Sequence, residues 1–144
     1  MSAEAELLLT GISAVAIGER ALLLEGPPGS GKSSLALALI DRGAVLIGDD
    51  GVRLTREGPR LLAHPPPRTA GLLEVRGVGL VTLPTTDAPV SLLLRMEQTA
   101  PRFPEEVPRR GMLGVSIPEL RFTPGDAVQA LRTEWALCLH GLPP

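Results

Sequence analysis

Apolar residues along this chain fall into short runs separated by glycine, proline and charged residues, a pattern typical of strands joined by turns. Two such runs, residues 12–17 and 21–25, lie on either side of a Gly-Glu-Arg turn and predict a β-hairpin. Residues 33–42 are rich in alanine and leucine and end before Gly43, which predicts a helix. The run 44–47 then predicts a strand parallel to 21–25 in one sheet, because strand, helix and strand follow one another.

The middle of the chain predicts further short strands between segments rich in turn residues. Residues 97–111 combine three prolines with charges of both signs and have no periodicity, so we predict a mobile surface loop there. The predicted strands cover residues 52–55, 60–64, 72–83, 90–96 and about 113–122.

The last part of the chain predicts a second helix. The segment 123–126, Thr-Pro-Gly-Asp, suits a helix start with Pro124 at the first helical position. Apolar residues follow at spacings of three and four, which predicts that one face of this helix is buried. That face consists of Val128, Leu131, Trp135 and Cys138.

Composition narrows the class of protein. The length of 144 residues suits one domain, residues 1–144, with no internal boundary. The net charge of −2, the 2% share of aromatic residues and the lack of a basic run argue against nucleic-acid binding. A single cysteine with two histidines argues against a zinc site. No run approaches the roughly 18 apolar residues of a membrane span, so we expect a cytoplasmic protein without a membrane partner.

Residues 26–34, GPPGSGKSS, satisfy the phosphate-loop pattern Gly-x-x-x-x-Gly-Lys-Ser. Glycines let successive backbone N–H groups surround phosphate oxygens, the lysine adds positive charge, and the serine hydroxyl can ligate Mg²⁺. The pattern lies between an apolar strand and a helix, which favours nucleotide binding over a purely structural turn. The expected binding residues are Gly26, Pro27, Pro28, Gly29, Ser30, Gly31, Lys32, Ser33 and Ser34.

Two carboxylates, Asp49 and Asp50, end the strand that follows the predicted helix. The carboxyl ends of neighbouring parallel strands meet at one crevice of an open sheet, so both side chains are expected near the loop. There they could bind Mg²⁺ and accept a proton from an attacking hydroxyl. The alternative is that Asp50 and Gly51 simply form a turn.

Strand alternation places Glu74 and Arg76 on the same face. They form either a salt bridge at a sheet edge or one wall of a site, and Gly77 and Gly79 would permit a close backbone approach. His64 is predicted to be an exposed loop residue.

Together, the segments GPPGSGKSS, LALALIDRGAVLIGDD, LLEVRGVGLV and LGVSIPELRF resemble the catalytic, C-terminal domain of the bacterial HPr kinase/phosphorylase family. The alphaproteobacterial short form, without the N-terminal domain, is most similar, and the resemblance spans residues 10–125. It implies an α/β phosphate-loop fold of the phosphoenolpyruvate-carboxykinase-like type, assembled as a hexamer. It also implies ATP and Mg²⁺ as cofactors, pyrophosphate as an alternative donor, and the phosphocarrier protein HPr as partner.

The resemblance implies roles for individual residues. Lys32 and Ser33 would hold the outer phosphates and Mg²⁺. Asp49 would deprotonate a serine of HPr and assist phosphate in the reverse phosphorolysis of phosphoserine. Asp50 and Glu74 would complete the metal and catalytic surroundings.

Arginines are also implied. Arg76 would line the same wall as Glu74. An arginine before the last strand would position the acceptor or phosphate, and Arg102 matches that place better than Arg109 or Arg110.

One position departs from the family pattern. A histidine that supports the catalytic aspartate is expected 15 positions before Gly26, where this chain has Gly11. The alternative hypothesis is therefore a nucleotide-binding regulatory module with weak or no transfer, and His64 is a poor candidate to replace the ring. A generic ATPase or GTPase comes third, because neither a water-orienting glutamine nor a guanine-binding Asn-Lys-x-Asp motif is evident.

Overall fold

The computed structural model describes residues 6–144, which contain eleven strands and two helices. The strands are β1 Glu6–Thr10, β2 Ile12–Ile17, β3 Arg20–Glu25, β4 Val45–Gly48, β5 Gly51–Glu57, β6 Arg60–His64, β7 Leu72–Val75, β8 Gly79–Thr82, β9 Ala88–Met96, β10 Arg109–Met112 and β11 Val115–Phe122. The helices are α1 Lys32–Asp41 and α2 Gln129–His140.

Two layers of sheet share the long strand β9. One layer has the order β4-β2-β3-β9-β11-β10, and the other runs β1-β5-β6 and pairs with the start of β9. On the edge opposite β3, β9 therefore pairs first with β6 and then with β11. Strands β7 and β8 form a separate hairpin.

The hydrophobic core has two parts, one on each face of the β2–β3 pair. Ala14 and Leu23 pack toward the β1-β5-β6 layer, while Val15, Leu22 and Leu24 pack against α1 and α2. Because β2 and β3 are covered on both faces, their sequences read as continuous apolar runs instead of alternating ones.

The predicted unit of strand, helix and strand is confirmed. β3 and β4 are both antiparallel to β2, so they are parallel to each other with β2 between them. Helix α1 begins at Lys32 and ends at Asp41, and Gly43 follows with a φ of 108°, as expected of a helix-terminating glycine.

Two predictions in the middle of the chain were wrong. Residues 72–83 are a hairpin, β7–β8, instead of one strand, because the chain turns back at Gly77, whose φ is 77°. The end of the predicted loop 97–111 is also the strand β10, which pairs with β11 through Arg109 to Met112.

The prediction for the last helix was wrong in its start and its buried face. Helix α2 begins at Gln129 with Val128 as N-cap, not at Pro124. Trp135 is 64% exposed, and the packed face consists of Ala130, Thr133, Ala136 and Leu137. The spacing of a helix is compatible with either set of residues, and the structure buries the set that includes the two alanines. Neither this helix nor α1 is long and apolar enough to cross a membrane, and they are the helices of residues 6–144.

Candidate functional site

The glycine-rich loop, residues 26–34, connects β3 to α1. A Cβ atom at Gly26 would lie 2.5 Å from Ser30 Oγ and 2.9 Å from Met96 Cβ, so a larger residue would not fit without movement. Gly31 has a φ of 99°, in the left-handed region that disfavours side chains. These constraints explain why glycine stands at the first and last glycine positions of the pattern.

The charge of Lys32 lies inside this loop. Its side chain is buried, and its ammonium group donates hydrogen bonds to the backbone carbonyls of Gly26 and Pro27. The hydroxyl of Ser30 is buried and has no hydrogen-bond partner in the described part of the chain. The first N–H groups of α1 also have no partner within the helix. Donors and a cation are thus gathered around one short loop, an arrangement that suits an anion.

Asp49, directly after β4, contacts both the loop and β2. Its Oδ1 accepts hydrogen bonds from Ser33 Oγ at 2.7 Å and from Ser13 Oγ at 3.1 Å, and its Oδ2 accepts one from the backbone N–H of Glu74 at 3.1 Å. Both carboxylate oxygens are therefore held, Oδ1 by residues of α1 and β2 and Oδ2 by the backbone of β7.

Asp50 forms the turn that leads into β5. Its φ is 56°, its N–H donates to Ser13 Oγ at 3.1 Å, and its carbonyl accepts from the N–H of Gly11 at 3.2 Å. Its side chain is exposed toward the cleft. Asp50 thus forms a turn and also presents its side chain to the cleft, so the two predictions for this residue do not exclude each other.

The sequence-predicted residues largely converge on one cleft of about 410 Å³. Asp49, Asp50, Glu74 and Arg76 line it together with residues 28–34 of the loop. Within residues 6–144 no ion pair joins Glu74 to Arg76, so they form a wall and not a salt bridge. Arg76 belongs to the β7–β8 turn, whereas Glu74 lies within β7.

Arg102 does not line this cleft. It is exposed in the segment between β9 and β10. Arg110 instead contacts the residue before the loop, because its guanidinium donates two hydrogen bonds, of 2.5 and 2.7 Å, to the carboxylate of Glu25. Arg109 donates to the carbonyl of Ser116.

Arg110 also binds Glu119 at 2.5 Å, and the contacts continue beyond it. The hydrogen bonds from Arg110 hold the pKa of Glu25 below its ordinary value, against the opposing effect of burial. The full ion chain consists of Glu25, Arg110, Glu119, Arg95, Glu97 and Arg121.

The side chains of the cleft determine whether it can hold a metal ion. No group of three or more histidine, cysteine, aspartate or glutamate side chains within residues 6–144 is arranged to hold an ion. Mg²⁺ bound with a nucleotide, however, usually takes only one or two carboxylates plus phosphate oxygens. Ser33 with Asp49, and Asp50 and Glu74 on the same cleft, fit that second mode.

Two features were not anticipated from the sequence. Ser13 contributes to the site through its buried hydroxyl, although its strand reads as purely apolar. His64 is not an exposed loop residue, since it ends β6 with a side chain only 12% exposed. Its ring lies between Thr55 Oγ1 at 2.7 Å and Asp87 Oδ2 at 2.6 Å.

Comparison with known proteins places these elements in a family. The sequence profile described as "HPr Serine kinase C-terminal domain" matches residues 6–86, more than half of the chain. The chain belongs to this family. The match includes the glycine-rich loop, the Asp49–Asp50 turn and the β7–β8 hairpin.

Individual relatives agree with this assignment. The HPr kinase/phosphorylase of Bordetella petrii is 42% identical over 76 residues, which are 52% of this chain and 25% of that protein. The HPr kinase/phosphorylase of Mycoplasma genitalium is 37% identical over 78 residues, 54% of this chain and 24% of that protein. The matched segment thus spans about a quarter of the length of these relatives.

The fold has a solved counterpart. The structure of the Hpr(Ser) kinase/phosphatase from Coxiella burnetii superimposes with a TM-score of 0.73 over 92% of this chain and 92% of that one. The sequence identity is 23%, so the likeness concerns the fold. The chain is accordingly a mixed α/β domain of the HPr kinase type.

Proposed function

We propose that this member of the HPr kinase family transfers the γ-phosphoryl group of ATP to a serine hydroxyl of the phosphocarrier protein HPr. The observation that carries the proposal is the 2.7 Å hydrogen bond between Ser33 and Asp49. A carboxylate able to accept a proton is thereby held against the loop proposed to bind phosphate.

In this proposal residues 26–34 are a phosphate loop. Lys32 and the N–H groups at the start of α1 bind the phosphates of ATP. Ser33, Asp50 and Glu74 hold Mg²⁺, with Asp49 beside them. When bound, Mg²⁺ would neutralise charge on the phosphoryl group.

The remaining residues act on the acceptor. Asp49 accepts the proton of the serine hydroxyl, and its two serine partners keep its carboxylate oriented toward the cleft. Arg76 lines the wall of the cleft in which the acceptor would bind. A positioning role for Arg102, which lies outside the cleft, rests on the family resemblance alone. Four further parts of the proposal rest on the family resemblance alone: the reverse phosphorolysis, pyrophosphate as a donor, the cytoplasmic location and a hexameric assembly.

A second candidate function is a nucleotide-binding regulatory module. It is favoured by Gly11, whose backbone N–H donates to the carbonyl of Asp50 in the Asp49–Asp50 turn. A residue without a side chain cannot support the carboxylate of Asp49 from that position.

A transfer assay separates the two functions. The purified chain is incubated with ATP, Mg²⁺ and HPr from the same genome, or with HPr whose acceptor serine is replaced by alanine. We expect phosphate on the serine of the first HPr only, and a loss of about 10²–10⁴-fold in rate for Asp49→Asn. Asp126→Asn is the matched control, because Asp126 is exposed and pairs with Arg132 outside the cleft.

Two results would contradict parts of this proposal, the first the transfer activity and the second the assigned base. Nucleotide binding without transfer from ATP or pyrophosphate would favour the regulatory module. Equal transfer by the wild type and Asp49→Asn would remove the role of Asp49.

A further inference from the structure

Ser13 is a polar residue in the middle of an otherwise apolar strand. It lies in β2, whose sequence is ISAVAI, and its side chain is 0% exposed. A buried hydroxyl is costly unless it is hydrogen-bonded, so its partners decide what it does there.

Both hydrogen-bonding capacities of this hydroxyl are used on one turn. Ser13 Oγ donates to Oδ1 of Asp49 at 3.1 Å and accepts from the backbone N–H of Asp50 at 3.1 Å. The directions are fixed by chemistry, because an amide N–H can only donate and a carboxylate accepts. One side chain therefore fixes the carboxylate of Asp49 and the backbone that follows it.

Of the two serines that contact Asp49, one lines the proposed nucleotide site and the other lies outside it. Ser33 lies in the first turn of α1 and lines the cleft, where its oxygen is the proposed ligand of Mg²⁺. Ser13 lies on a strand paired on both edges and does not line the cleft. Of the two serine contacts, the one from Ser13 therefore stays in place whatever Ser33 binds.

We infer that Ser13 is a positioning residue, which holds the Asp49 carboxylate in the orientation needed to accept the proton of the acceptor hydroxyl. The inference rests on the proposed function of Asp49. Without the hydroxyl, the Asp49 carboxylate would keep its contacts with Ser33 and with the N–H of Glu74 but lose the one from β2, and the Asp50 N–H would lose its partner. The carboxylate would then sample orientations away from the acceptor. A displacement of about 1 Å is enough to reduce a rate by about 10²-fold.

The variants are Ser13→Ala, Ser13→Thr and the matched control Ser91→Ala. Ser91 is also 0% exposed and lies on β9 of the same sheet, and its hydroxyl has no hydrogen-bond partner among residues 6–144. Ser91→Ala therefore removes an equally buried hydroxyl from the core and leaves the residues that line the cleft unchanged.

Three properties of each variant are measured: the kinetic constants of transfer from ATP to HPr, the dissociation constant of ATP, and the melting temperature. For Ser13→Ala we expect kcat to fall about 10–100-fold, with the affinity for ATP within about twofold of wild type. Ser13→Thr keeps the hydroxyl and should recover part of kcat, and Ser91→Ala should match the wild type. An unchanged kcat in Ser13→Ala, or an equal loss in Ser91→Ala, would overturn the inference.

A separate measurement distinguishes failure of the inference from failure of the proposed function. If the wild type transfers nothing, the kinase proposal fails. The interaction is then tested by unfolding Ser13→Ala, Asp49→Asn and the double variant in denaturant. Non-additive changes in the free energy of unfolding support Ser13 as the residue that holds Asp49, and additive changes overturn it.

Discussion

The hydroxyl of Ser33 and the carboxylate of Asp49 are joined by a hydrogen bond of 2.7 Å. The bond links the first turn of α1 to the residue after β4, so the glycine-rich loop and the Asp49–Asp50 turn are directly connected. A change at either end is expected to reach the other.

Replacing Lys32 by alanine should weaken binding of Mg²⁺-ATP. Its ammonium lies inside the loop, and a hydrogen bond from a charged donor contributes about 1.5–3 kcal/mol, or roughly 10–150-fold in affinity. Calorimetric titration measures the change. Arg53→Ala is the control, since Arg53 pairs with Glu6 away from the cleft. Unchanged affinity in Lys32→Ala would refute the assignment of the loop.

Replacing Gly26 by alanine should distort the loop. The added methyl would meet Ser30 Oγ and Met96 Cβ inside van der Waals contact, and such overpacking costs about 1–3 kcal/mol. Denaturant unfolding and ATP titration should show lower stability and weaker binding together. Gly111→Ala is the control, because nothing lies within 4 Å of the position a Cβ would take there. Equal stability of the two variants would contradict the steric account.

Replacing Arg110 by glutamine should change how stability depends on pH. The Arg110 guanidinium lowers the folded-state pKa of Glu25 below the ordinary 4.5, so the pair stabilises the fold above that value. The stabilisation is lost as the pH falls through the lowered pKa and Glu25 is protonated. The difference in unfolding free energy between wild type and Arg110→Gln should therefore be largest near neutral pH and shrink below pH 4.5.

Arg109→Gln is the control for that experiment, since Arg109 bonds to a backbone carbonyl and not to an acid. Its difference from wild type should stay constant between neutral and acidic pH. A constant difference for Arg110→Gln as well would mean that the Glu25 pair does not contribute.

The packed face of α2 can be checked by stability. Leu137 is 1% exposed, and its replacement by alanine should cost about 2–5 kcal/mol, as for other buried leucines. Trp135→Ala should cost about 0.5 kcal/mol or less, as is usual for exposed positions. Circular dichroism in denaturant measures both. A larger loss for Trp135→Ala would restore the face expected from the sequence.

Local features of the fold could be predicted from the sequence, and long-range ones could not. The β2–β3 hairpin and α1 depend on neighbouring residues, so apolar runs and glycine positions were sufficient. The sharing of β9 by two layers depends on pairings with β3, β6 and β11, which no local pattern records. The strand β1 was missed for the same reason, since its partner β5 lies far along the chain.

The candidate site likewise contains residues that could be predicted from the sequence and one that could not. Asp49 and Asp50 were expected near the loop because parallel strands end at one crevice, and the structure places them there. Ser13 was missed because a small polar residue in a buried strand carries no signal by itself. Its partner Asp49 is 36 positions away.

The place of β9 has a consequence for the smallest unit that can fold. The residues matched by the family profile end at Thr86, two positions before β9 begins at Ala88. A fragment with those residues alone would keep every group that surrounds the cleft but would expose the edges of β3 and β6 and the apolar faces that β9 covers. Unpaired edges and bare apolar surface favour aggregation. The residues that line the cleft therefore all precede β9, whereas the stability of the folded domain depends on the strands that follow them.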